Sequence, residues 1–92
     1  MAFETRNPFN NQLVKTFPSI SRDELHASLA EARRVQQAWA QTDWEVRADL
    51  MTKLGEAIRA QREPLAALIT LEMGKLKREA LGEVDKCALG CD

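Results

Sequence analysis

From Ser21 onward the chain is written in a helical period, and this limits its fold more than any other feature. Ser21-Arg22-Asp23-Glu24 has the form of a capping box, in which the serine hydroxyl and the glutamate each satisfy one orphan backbone N–H. Ile20 and Leu25 stand at the spacing of a hydrophobic staple around it. An apolar stripe follows at Leu25, Leu29, Ala32, Val35 and Trp39, while Arg33, Arg34, Gln37 and Gln41 fall off it. That spacing predicts an amphipathic helix of about 20 residues. A second box, Thr42-Asp43-Trp44-Glu45, predicts a second helix with the stripe Val46, Leu50, Leu54, Ala57 and Ile58. So short a link predicts that these two helices are antiparallel neighbours. Pro64 predicts a break near Arg62 and the first position of a third helix. That helix carries Leu65, Leu68, Ile69 and Met73, with Gly74 as its left-handed cap. A fourth pattern runs from Leu76 through Ala80, Val84, Cys87, Ala88 and Cys91, and is still in phase at Asp92. It reads as a helix cut at its C-terminus.

Residues 1–20 follow a different rule. Asn7-Pro8-Phe9-Asn10-Asn11 is a turn cluster, because proline fixes φ and asparagine tolerates left-handed backbone. Leu13-Val14-Lys15-Thr16-Phe17 is a short strand stopped by Pro18, with Phe3–Arg6 as its partner across the turn. An isolated two-stranded hairpin is marginal in water and needs a surface to lie on. The expected fold class is therefore mainly α: a short β-hairpin arm over 1–20, then about four amphipathic helices over 21–92.

Charge and size narrow the function classes. Thirteen basic and 14 acidic residues leave a net charge of −1, so no basic footprint points to nucleic acid. No apolar run reaches the roughly 18 residues of a membrane span. The first nine residues hold Glu4 and Arg6 and lack the apolar centre of a signal peptide. Cytoplasm is the expected location. Two cysteines do not make a disulfide framework. Under ideal compaction, burial contributes about 140 kcal/mol. Ordering the chain costs about the same, so an uncovered surface would be felt.

The chemistry-bearing residues are few. His26, the single histidine, lies off the stripe and reads as a solvated side chain. Cys87 and Cys91 are one helical turn apart and face the same way. They suggest a dithiol switch or half a metal site. They also continue the apolar stripe, where free cysteine packs as a small hydrophobe, and no further zinc ligands stand out. Glu72 shares a face with Leu65, Leu68 and Ile69. With no acid–base partner it reads as a structural tie to a neighbouring element. Trp39 and Trp44 flank the first interhelix link, with Trp39 expected in the core. Gly55, Gly74, Gly82 and Gly90 form neither G-x-G-x-x-G nor G-x-x-x-x-G-K, so no phosphate-cradling loop is present.

Taken in order, certain runs resemble a known family. They are Lys15-Thr16-Phe17-Pro18, Ala38-Trp39-Ala40, Arg47 to Ile58, Thr70-Leu71-Glu72-Met73-Gly74-Lys75, Glu79-Ala80, Gly82-Glu83-Val84 and Lys86-Cys87-Ala88. From about Glu4 to Asp92 the chain looks like the N-terminal segment of NAD(P)-dependent aldehyde dehydrogenases, most like succinate-semialdehyde dehydrogenases. Leu76 stands where that family usually has proline. The resemblance implies a partial piece of the α/β aldehyde dehydrogenase fold, with the helices packed on the cofactor domain and the hairpin at its edge. The family reaction it implies begins with a cysteine thiolate attacking an aldehyde. Hydride then passes to NAD(P)+, and water hydrolyses the thioester. The family's nucleophilic cysteine, general-base glutamate, oxyanion-hole asparagine and Rossmann cofactor site lie in later sequence. Cys87, Cys91, Glu72 and Glu83 match earlier, structural positions.

No residue here is therefore assigned a catalytic, cofactor-binding or metal-ligating role. The expected chain is an N-terminal piece of an aldehyde dehydrogenase, inactive alone and binding no cofactor itself. Its expected partner is the remainder of such a chain or subunit, in a family that is homo-oligomeric when full length. A stand-alone helical protein-interaction module is the alternative reading. A small thiol-redox or metal protein, resting on Cys87 and Cys91, is the third.

Overall fold

The computed structural model describes residues 2–92. Strands β1 (Ala2–Arg6) and β2 (Leu13–Pro18) form one antiparallel hairpin, with Phe3 opposite Phe17 and Thr5 opposite Lys15. A bulge between Thr5 and Arg6 shifts the register next to the turn. Asn7 and Asn10 shape that turn: their side-chain oxygens accept from the backbone N–H groups of Phe9 and Gln12, and Asn11 sits at φ 59°. Asparagine pays little for that conformation, since its short polar side chain bonds locally.

Four helices follow: α1 (Arg22–Ala40), α2 (Trp44–Ala60), α3 (Arg62–Met73) and α4 (Lys77–Cys91). The capping box at Ser21 is complete. The Glu24 N–H donates to Ser21 Oγ at 3.1 Å and the Ser21 N–H donates to Glu24 Oε2 at 2.6 Å. The expected second box does not form. Helix α2 starts one residue later, with Asp43 as an N-cap that makes no side-chain bond. The Thr42 hydroxyl instead donates backwards to the Ala38 carbonyl at 3.2 Å, closing the end of α1. Pro64 also sits deeper than expected. The break falls at Gln61, so proline is the third residue of α3, still in the first turn where a missing N–H breaks no helical bond. Gly74 takes φ +73° and its N–H donates to Thr70 O at 2.9 Å, as a left-handed cap should.

The packing is centred on α4. Ala66, Ala80 and Ala88 are wholly buried, Val84 is 4% exposed, and Ile58, Ile69 and Leu81 lie around them. Helices α2 and α3 both pack on α4. Gly55 makes the first crossing close: a Cβ added there would stand 3.1 Å from Cys91 Cβ and 3.3 Å from the Ala88 carbonyl oxygen. Ion pairs run along the same contacts, with Arg62 to Asp85 at 2.6 Å, Arg59 to Asp92 at 2.6 Å and Lys77 to Glu63 at 3.2 Å. All are solvent-exposed, so they fix helix register more than they stabilise.

Helix α1 takes no part in this. It has no buried residue and packs substantially on no other element, so α1 and α2 are not the antiparallel neighbours their short link implied. The extended backbone of Asp43 directs α1 away from α2 instead of folding it back. The resulting body measures 48 × 37 × 14 Å, only about one helix thick in its shortest direction. Its radius of gyration is 17.4 Å, against about 12 Å for a compact chain of this length. Its surface of 7598 Å² exceeds that of a compact monomer of this mass by about 2,200 Å². The apolar stripes are formed as the sequence predicts, and much of their area stays in solvent.

Candidate functional site

An apolar groove of about 580 Å³ lies between α3 and α4, lined by Leu65, Leu68, Ile69, Glu72, Val84 and Cys87 among others. The helical period puts these side chains there, since 65, 68, 69 and 72 share one face of α3, and 84 and 87 one face of α4. Glu72 is half-buried at this groove and, among the described residues, has no ion-pair partner. The tie expected of Glu72 is supplied by a neighbour: Lys75 pairs with Glu83, bridging the end of α3 to α4. That contact raises the Lys75 pKa, with the Glu83 hydrogen bond as its main cause.

The two cysteines sit in different surroundings. Cys87 is exposed on the groove wall and is not the core residue expected of it. Ala80, Val84 and Ala88 take that place, because they face α2 and α3 directly. Cys91 is half-buried, its Cβ close to Gly55, and its thiol donates weakly to the Cys87 carbonyl at 3.5 Å. Both thiols are free. His26 is exposed on α1. Among the described residues, no group of three or more His, Cys, Asp or Glu side chains is placed to hold a metal ion.

Trp39 is 41% exposed rather than buried, since α1 has nothing packed against its stripe. With Trp44, Met51, Ala48 and Arg47 it borders a second concavity, of about 460 Å³, at the open angle of α1, α2 and α4. Arg47 lies over the Trp44 ring at 5.9 Å, yet its Nε is buried without an acceptor. A buried donor left unpaired is costly and calls for a partner group.

The glycines offer no cradle for a pyrophosphate. Gly55 is filled by α4 and Gly74 by Pro8, whose Cγ would stand 3.1 Å from an added Cβ. Gly82 and Gly90 lie inside α4, where helical N–H groups are already bonded. No motif marks the Gly55 crossing or the Lys75–Glu83, Arg62–Asp85 and Arg59–Asp92 pairs. A lone glycine inside an apolar helical pattern was the one available signal. The long-range pairs have none. What this surface can do chemically is bury apolar area against another element.

Comparison with known proteins gives that surface a context. The family model described as "Aldehyde dehydrogenase family" matches residues 1–92. The chain is 43% identical over 82 residues to the NADP+ succinate-semialdehyde dehydrogenase of Deinococcus radiodurans, covering 89% of this chain and 17% of that protein. It is 38% identical over 91 residues to a probable NADP+ succinate-semialdehyde dehydrogenase of Synechocystis, covering 99% of this chain and 20% of that one. Its fold superposes on NADP-dependent glyceraldehyde-3-phosphate dehydrogenase of Bacillus halodurans, solved with NADP. There the TM-score is 0.90 at 24% identity, over 96% of this chain and 18% of the other. The chain thus spans about a fifth of the length of the relatives it matches, and among the described residues no helix is long and apolar enough to cross a membrane. Matched over its whole length, the chain belongs to the aldehyde dehydrogenase family.

Proposed function

We propose that this chain is the N-terminal helical layer of an NAD(P)+-dependent aldehyde dehydrogenase, supplying scaffold and none of the reacting groups. In this reading residues 1–20 are an edge arm and 21–92 are part of the cofactor-binding domain. The covering partner is the remainder of an aldehyde dehydrogenase chain or subunit in the cytoplasm. The observation that carries it is the excess surface, about 2,200 Å² in total beyond that of a compact monomer, with many large apolar side chains exposed on it, in a chain that spans about a fifth of the length of its relatives. Succinate semialdehyde is the proposed aldehyde of the whole enzyme and NADP+ its proposed cofactor, on the names of those two relatives.

The side chains support a scaffold role. Glu72 and Cys87 line one apolar groove, and His26 is not among its lining residues. The glycines present are filled or helical and do not fit a dinucleotide's pyrophosphate. The purified chain with NADP+ or NAD+ and succinate semialdehyde is expected to give no increase in absorbance from reduced cofactor above a blank. Turnover that follows the chain through purification would overturn the scaffold reading.

A further inference from the structure

Two of the eight arginines, Arg47 and Arg62, are partly buried, and the other six are exposed. Arg62 has its counter-charge, Asp85 at 2.6 Å. Arg47 has none among the described residues, and its Nε is buried without an acceptor. Asp92 lines the same concavity, but Arg59 holds its carboxylate at 2.6 Å. Asp49, two positions along α2, pairs with Lys53 at 3.0 Å. Beside Arg47 the concavity is walled by Trp39, Trp44 and Met51, all of them exposed. Tryptophan, methionine and arginine are enriched at protein interfaces, and tryptophan and arginine recur among the residues that carry most of the binding energy.

We propose that this concavity fastens the chain to the body that covers it, and that the body supplies an aspartate or glutamate carboxylate to Arg47 from beside an apolar side chain. The proposal rests on the scaffold reading above and names the chemistry of one contact within it. Charge selects the occupant. A cation drawn out of water needs an opposite charge, or it destabilises its site. The planar guanidinium matches a carboxylate through two parallel hydrogen bonds. A basic segment would meet a like charge here, and a wholly apolar one would seal the cation away unpaired. The exposed indoles and Met51 supply apolar walls that exclude water around such a pair and strengthen it.

Two measurements test it. Urea titration of the purified chain, followed by circular dichroism, reads the state of Arg47 in the chain by itself. Methionine keeps the apolar stem and removes the uncompensated guanidinium, so Arg47→Met is expected to leave the midpoint unchanged or raise it. Arg62→Met removes a paired guanidinium and is expected not to raise it. A lower midpoint for Arg47→Met would overturn the proposal, because the guanidinium would then be satisfied within the chain. The second measurement adds the chain to an NADP+ succinate-semialdehyde dehydrogenase lacking the aligned stretch and follows NADPH formation. Half-maximal restoration is expected to need about 30-fold more Arg47→Met than wild-type chain. Arg47→Lys, which keeps the charge and loses the fork, is expected to fall between them, and Arg47→Glu to restore nothing. Restoration by Arg47→Met or Arg47→Glu at the wild-type concentration would overturn the proposal and leave the scaffold reading standing. Failure of the wild-type chain to restore activity would overturn the scaffold reading, and this proposal with it.

Discussion

Adding a single methyl group at Gly55 sets two known effects against each other. Gly55 lies inside α2, where alanine is better than glycine by about 0.5–1 kcal/mol on backbone entropy alone. The added Cβ would stand 3.1 Å from Cys91 Cβ and 3.3 Å from the Ala88 carbonyl oxygen. Neither neighbour can rotate away, since one is bonded to the backbone and the other is part of it. The helices themselves must separate, and overpacking of this kind costs about 1–3 kcal/mol. The cost exceeds the gain, so Gly55→Ala is expected to destabilise the α2–α4 contact by about 1 kcal/mol. Gly82→Ala is the matched control. It lies in α4, where an added Cβ meets no heavy atom within 4 Å, and only the gain of about 0.5–1 kcal/mol remains. Urea titration of the helical signal at 222 nm reads the difference between the two variants. The reactivity of Cys91 toward a thiol reagent reads it independently, because separating α2 from α4 uncovers that side chain. If Gly55→Ala stabilises as much as Gly82→Ala, with Cys91 no more reactive, the close crossing is not what orders these helices.

Gly74→Ala is expected to cost about 1–2 kcal/mol, because its φ of +73° penalises any Cβ and Pro8 stands in the way; the same urea titration measures it. Acid is expected to loosen the helices. Hydrogen bonds from Ser21 hold the Glu24 carboxyl below its ordinary 4.5, Arg34 does the same for Glu31, and Arg62 holds Asp85 below its ordinary 3.8. Folded values below unfolded ones mean the contribution is fully present above the ordinary values and is lost as pH falls through the lowered ones. Helicity followed downward from pH 5 should therefore decline, and Glu24→Gln with Asp85→Asn should flatten the decline.

The sequence is most legible where one residue decides a local bond. Ser21 with Glu24 and Gly74 both do what their types require, because capping and left-handed backbone depend on neighbours within a few positions. Thr42 shows the limit of that logic. Its hydroxyl reaches the Ala38 carbonyl behind it as readily as an N–H ahead, and the competition shifts the helix start by one residue. Periodicity identifies an apolar face but not what lies on it. Hence Trp39 and Cys87, both on stripes, are exposed, while Ala80, Val84 and Ala88 of the same pattern form the core. The tie across the α3–α4 junction joins Lys75 and Glu83 instead of using Glu72, because two charged side chains on facing helices meet only once the crossing is set. No spacing rule spans that step.

If the reacting groups are supplied by a body that covers this helical layer, the chain should restore an enzyme that lacks the layer. Complementation tests this most directly. An NADP+ succinate-semialdehyde dehydrogenase lacking the stretch that aligns with this chain would be titrated with the purified 92 residues, and NADPH formation followed. The expected result is no turnover from this chain alone, little from the shortened enzyme, and activity that rises and saturates as the two are mixed. Turnover by the chain alone, or a shortened enzyme indifferent to a saturating excess of it, would rule out the scaffold role.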